Sequence, residues 1–165
     1  MTYYPDLSRY HYGEEFYRPG TKNIGWLSVG HEFDTSEPTD ALLDRLWAFC
    51  KISVARSRGI HDCEFCPGKS AYLGERKGER LLLGTSEIRV FHPSGEIFAA
   101  PTLIYHYVEV HQYRPPQAFI QSLDGEFAAP AKGYFERLAK LGLEWRDTAV
   151  PVEARVRRPV KPPRA

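Results

Sequence analysis

Between residues 39 and 51 the chain sets apolar side chains at Leu42, Leu43, Leu46, Trp47 and Cys50, the spacing of one face of an α-helix. Thr39 stands where an N-cap is wanted, and Asp40 and Asp44 lie near the positive end of the helix dipole, so the pattern predicts a helix over about 40–50. Cys50 falls on the apolar stripe and reads as a small buried hydrophobe. Ile52-Ser53-Val54 then alternates as a short strand does. Three further strand candidates follow at Arg80 to Leu83, Ser86 to Phe91 and Glu96 to Ala99. The last two flank His92-Pro93-Ser94-Gly95, which has the length and residue chemistry of a hairpin loop, so an antiparallel sheet is expected. Glu87 and Arg89 alternate with Ile88 and Val90, which predicts a solvent-facing side for the two charges.

Elsewhere the pattern is mixed. Residues 101–111 carry β-branched and aromatic side chains that favour a strand. Pro101 at a first helical position and the apolar set Leu103, Ile104, Tyr107, Val108 and His111 favour a helix, which is the reading adopted. Pro115 to Leu123 and Pro130 to Leu141 predict two more helices, the second with Phe135, Leu138 and Leu141 inward and Gly142 as a left-handed cap. Asn23 to Val29 is a strand candidate, and Leu143-Glu144-Trp145 a last strand or docking segment. Residues 1–22, interrupted by Pro5, Pro19 and Gly20, predict an ordered arm whose rings pack across the domain. Residues 67–80 read as an exposed connection, because three glycines, a proline and six charges leave little to bury. No internal repeat is present. The expected architecture is one α+β domain over 1–150, a small mainly antiparallel sheet with packed helices, followed by a flexible Pro/Arg-rich basic tail over 151–165.

Length and composition narrow the class. A chain of 165 residues with 42% apolar content can bury one real core. The 22 basic residues against 21 acidic ones give no global reason to expect nucleic acid as a partner. The basic tail is the local exception; five cations at a chain end are more often a solubilising extension than a nucleic-acid contact. No apolar run approaches the roughly 20 residues of a membrane-spanning helix, and the first residues lack the basic-then-apolar design of a secretory signal. The chain reads as cytoplasmic, with a protein or small molecule as its partner and no membrane.

Three cysteines, two of them three positions apart, are unlike a secreted disulfide framework. Cys63 and Cys66 have the Cys-x-x-Cys spacing in which a tight turn brings two thiolates to one ion, and His61 stands two residues before them. This is half of a tetrahedral zinc site. His106, then His111, are the preferred sources of the remainder. Five positions separate these two, so one helix face is expected to offer one of them and not both. The expected set is His61, Cys63, Cys66 and His106 around a structural Zn2+, with His111 or His31 as alternatives for the fourth place. A single Cys-x-x-Cys also occurs as plain loop thiols, with His61 capping a turn.

Other chemistries fit less well. A redox dithiol needs a helix after the motif, and Pro67-Gly68 argues against one. Zinc deaminases pair His-x-Glu with Pro-Cys-x-x-Cys; here Glu32 directly follows His31 and no proline precedes Cys63. Glu87 could orient a metal-bound imidazole. Tyr105, Tyr107 and Tyr113 with Arg114 could line a groove, though boundary packing is the simpler use. No phosphate loop, Ser-His-Asp order or dinucleotide fingerprint is present.

Four phrases belong together: Asn23 to Gly30, Gly59 to Cys66 (with its His-x-Cys-x-x-Cys), Leu83 to Val90, and Ala100 to Pro116. As a set they resemble a family of small uncharacterised bacterial proteins, a domain of unknown function, over most of residues 1–123. The resemblance implies one compact unit and an association with defence or toxin-immunity neighbourhoods; it brings no established activity. Two roles follow: a metal-stabilised interaction protein of immunity type, or a metal-dependent hydrolase or deaminase-like enzyme that keeps a zinc-bound water and uses Glu87 or Glu32 as base.

Overall fold

The centre of the molecule is the hairpin of β5 (Glu87–Phe91) and β6 (Ile97–Pro101), which pair antiparallel with Glu87 opposite Pro101 and Phe91 opposite Ile97. The computed structural model describes residues 2–56, 59–68 and 72–152. β1 (Thr21–Asn23) joins β6 in parallel, while β2 (Ile52–Val54) pairs with β5 and β7 (Trp145–Asp147) with β2, both antiparallel. The order is β1-β6-β5-β2-β7. Among the described residues the fold mixes α and β, with four helices and two mostly antiparallel sheets. No helix among the described residues is long and apolar enough to cross a membrane.

Every residue of β5 and β6 is buried, because both faces of this sheet are covered. On one side Ile88, Val90 and Phe98 share an apolar cluster with Leu46 and Phe49 of α1 (Asp40–Lys51), Ile104 and Val108 of α2 (Ile104–His111), Phe119 of α3 (Gln117–Gln121) and Leu138 of α4 (Lys132–Lys140). α1 starts as expected, with the Thr39 side chain accepting from the Leu42 N–H. On the other side lies the N-terminal arm. Tyr10 N–H donates to the Thr21 carbonyl and Leu7 N–H to that of Asn23, and Tyr10 and Trp26 pack on Ala99.

This arm overturns the expectation of a wet sheet face. Glu87 is 3% exposed and Arg89 0%. Strand alternation separates two sides but does not say that one of them meets water. The burial is made tolerable by pairing: Arg89 Nη1 donates to Glu87 Oε2 at 2.6 Å and Tyr10 Oη donates to Glu87 Oε1 at 2.9 Å. The guanidinium also lies 4.9 Å from the Tyr10 ring centroid.

Much of the exposed connection expected over 67–80 is instead a hairpin, β3 (Tyr72–Arg76) with β4 (Glu79–Leu83), to which β8 (Val150–Pro151) adds. Lys77 and Gly78 both have positive φ, 49° and 76°, the primed turn that suits strand twist. Gly74 lets β3 lie on α1, since a Cβ there would meet the Trp47 ring at 3.0 Å. The charges that made the segment look unstructured hold it down: Arg76 Nε and Lys77 Nζ both donate to the Asp44 carboxylate of α1, at 2.5 and 2.6 Å.

Two smaller differences follow from backbone geometry. The strand expected over 23–29 ends at Asn23, because Gly25 takes φ 68° and turns the chain. Pro101 closes β6 and does not open α2, which begins at Ile104. Of the tail expected from 151, Pro151 pairs with β4, and residues 153–165 lie outside the described residues.

Candidate metal centre

α2 is short and ends in a left-handed Gln112, φ 55°, whose N–H donates to the Tyr107 carbonyl. Its last two turns carry His106 and His111. Positions five apart are about 140° apart on a helical wheel, yet the two Nε2 atoms are 3.2 Å apart. The long imidazole side chains lean toward each other and close an angular gap that a wheel drawn at the Cα atoms overstates. One histidine was expected from this element, and the structure brings both to one place.

The loop beneath them is fixed from several directions. Cys66 N–H donates to the Cys63 carbonyl at 3.2 Å, the turn that brings the two thiols together. His61 N–H donates to the Gly84 carbonyl at 2.8 Å. The approach there is so close that a Cβ on Gly84, φ 85°, would stand 2.3 Å from the His61 carbonyl oxygen. Further along, Val29 N–H donates to Glu64 Oε2 at 3.0 Å, and the Phe65 ring packs against His111, Tyr107 and Phe33. Tyr72 of β3 closes the other side, its ring 4.2 Å from His106 and its hydroxyl donating to the Cys66 carbonyl at 3.3 Å.

The result is a group of four ligand atoms from Cys63, Cys66, His106 and His111, all within 4.8 Å of one another. Cys63 Sγ lies 3.3 Å from His111 Nε2, and Cys66 Sγ lies 3.4 Å from His111 Nε2 and 3.6 Å from His106 Nε2. A tetrahedral ion with bonds of about 2.3 Å to sulfur and about 2.05 Å to nitrogen has S···N edges of about 3.5 Å and an N···N edge of about 3.4 Å. The observed spacings match those edges. Cys63 and His106 are buried, Cys66 and His111 half-buried.

Burial also sets the protonation of these side chains. It pushes the Cys63 thiol up to about 11 and holds the His111 imidazole below the ordinary histidine range. The nearby Tyr72 and Tyr107 phenols are raised by burial and then by the thiols. A neutral imidazole is what a metal ligand must be, and a divalent cation would supply the charge that turns the thiols into thiolates.

His61 stands elsewhere. Its Nε2 lies 2.6 Å from the Tyr12 hydroxyl, in an edge-on ring contact, and it is not one of the four grouped residues. His31 stacks on Tyr3 at 3.6 Å and is likewise outside the group. Glu87 is engaged by Tyr10 and Arg89 and not by an imidazole. Tyr105, Tyr107 and Tyr113 are buried in the core instead of lining a groove. The residue that the expected set lacked, His111, had one sequence signal: a histidine set within an apolar stripe that also passes close to His106.

A family described as a domain of unknown function (DUF7919) matches residues 2–124. No curated protein and no solved structure matches the chain.

Proposed function

We propose, for a chain that belongs to the DUF7919 family of unknown function, that Cys63, Cys66, His106 and His111 hold one structural zinc ion in a metal-stabilised binding domain. The observation that carries this reading is the agreement between the four ligand spacings and the edges of a zinc tetrahedron. Zinc fits two soft thiolates with two imidazoles. With all four places taken by protein atoms, no coordination position is left for a reacting water, which favours a structural over a hydrolytic role. The ion would fasten the 59–68 loop to the end of α2, two segments about forty residues apart in the chain, and its binding free energy would add to folding.

The binding role is supported by the outer face of the second sheet. Leu73 and Leu82 are directly opposite each other in the β3–β4 ladder and are 60% and 41% exposed, with Val150 beside them at 52%. An apolar strip of this kind on a domain with a filled core fits an interaction module.

The test is elemental analysis of the purified protein, followed by a melt with and without a strong chelator. One zinc per chain is expected, and a loss of about 3 kcal/mol on stripping would lower Tm by roughly 10 °C for a chain of this size. A cobalt-reconstituted sample should show the intense visible absorption of a tetrahedral thiolate site. A metal-free protein that takes up neither ion and melts unchanged in chelator would overturn the proposal.

A further inference from the structure

The β2–β7 edge of the main sheet carries a second candidate site, away from the four metal-site residues. A cavity of about 340 Å³ opens there, lined among others by Phe16, Ser53, Arg56, Glu144, Trp145 and Arg146. Its floor follows from strand register. Ser53 is directly opposite Arg146 in the β2–β7 ladder, so the two side chains share a face, while Ile52 and Val54 point to the other side and lie in the apolar core.

Ser53 is the informative residue. It is 1% exposed, it lines the cavity, and its Oγ has no hydrogen-bond partner among the described residues. A buried hydroxyl left unpaired is unfavourable unless something else completes it. Around it stand two cations, Arg56 and Arg146, that make no ion pair among the described residues. Planar guanidinium groups suit phosphate or carboxylate oxygens. Phe16 adds a ring to the wall. Trp145 is opposite Val54, so it reaches the cavity from the strand backbone while its ring turns to the other face, against Phe135 at 4.5 Å. A ring beside cations is a platform for a flat, anionic ligand. Glu144 can accept from a hydroxyl or amino group, and its charge limits the site to a net of about one positive charge, which disfavours polyphosphates.

We propose that this cavity binds an organic monophosphate bearing a flat ring, the chemistry of a nucleoside monophosphate, with Arg56 and Arg146 on the phosphate, Phe16 against the ring, and Ser53 donating to the ligand. This gives the binding reading above a ligand, and it does not depend on the metal.

Titration of the full chain with AMP, GMP, CMP and UMP, followed by calorimetry, tests it. Saturable binding of at least one of these is expected, with the parent nucleoside and inorganic phosphate each binding at least about 10-fold more weakly. Arg146→Ala and Arg56→Ala should each weaken binding about 10-fold, the loss of one charge-assisted contact. Ser53→Ala provides the control for structure: removing an unpaired buried hydroxyl should leave the Tm of the ligand-free protein unchanged or raise it, while weakening binding several-fold. No saturable binding, equal binding of inorganic phosphate, or a Ser53→Ala variant that melts lower and binds as before would each overturn the proposal. Zinc content measured on the same samples separates this outcome from a failure of the metal site.

Discussion

At the residue scale the sharpest contrast is between two histidines. His111 Nε2 touches both thiols and His106, whereas His61 Nε2 faces the Tyr12 hydroxyl. His111→Ala should therefore lose stoichiometric zinc and the stability that goes with it, and His61→Ala should keep the metal with a modest drop in Tm; elemental analysis of both variants decides. Proximity in sequence favoured His61, because a histidine two residues from a thiol is easy to see. Proximity in space favours His111, which depends on where α2 ends and how its last side chain leans. The Cys-x-x-Cys turn was legible because it is local; the histidine pairing was not, because it is a property of rotamers across two elements. Arg89 gives a second residue-scale prediction. Arg89→Met would leave the Glu87 carboxylate buried without its cation and should cost about 3–5 kcal/mol. Pairing it with Glu87→Gln should recover most of that loss, since both charges are then gone. Chemical denaturation of the single and double variants measures the difference. Equal losses in the two would mean that the pair is not the reason for the cost.

At the scale of elements, α1, the β5–β6 hairpin and α4 could be read from periodicity and caps, since each buries a face with a clear repeat. The β3–β4 hairpin could not. Its charges resemble those of a loop until Asp44 of α1 is placed beneath them, where hydrogen bonds from Lys77 and Arg76 hold the Asp44 carboxyl below the usual carboxylate range. A lowered folded value means that this clamp stabilises above the unfolded carboxylate range and is lost as pH falls through the folded value. The wild-type Tm should exceed that of Asp44→Asn at pH 7, and the gap should close as the pH is taken toward 3. Because the group is at the surface, added salt should narrow the gap at neutral pH as well. A gap that stays constant with pH would assign the effect to something other than charge.

At the scale of the whole molecule, the two faces of the central sheet are closed by different means. Helices cover one, and Tyr10 of the arm before β1, with Trp26 just after β1, covers the other. Apolar content alone predicted a core but not that a polar-looking strand would run through the middle of it, because the covering arm has no period to reveal its partner. The zinc reading fits this arrangement. Among the described residues the 59–68 loop contains no helix or strand, and an ion would tie it to the end of α2, whose apolar face lies in the core.

β7 has a further consequence. It pairs with β2 from outside the stretch matched to the family, 145–147 against 2–124, and it adds Trp145 and Arg146 to the lining of the cavity at that edge. The four residues of the proposed metal group all lie inside the stretch. The proposed cavity is thus shared between the two portions, with Phe16, Ser53 and Arg56 inside the family stretch and Arg146 outside it, so a substitution in β7 should alter ligand binding there while the four residues of the proposed metal group stay as they are.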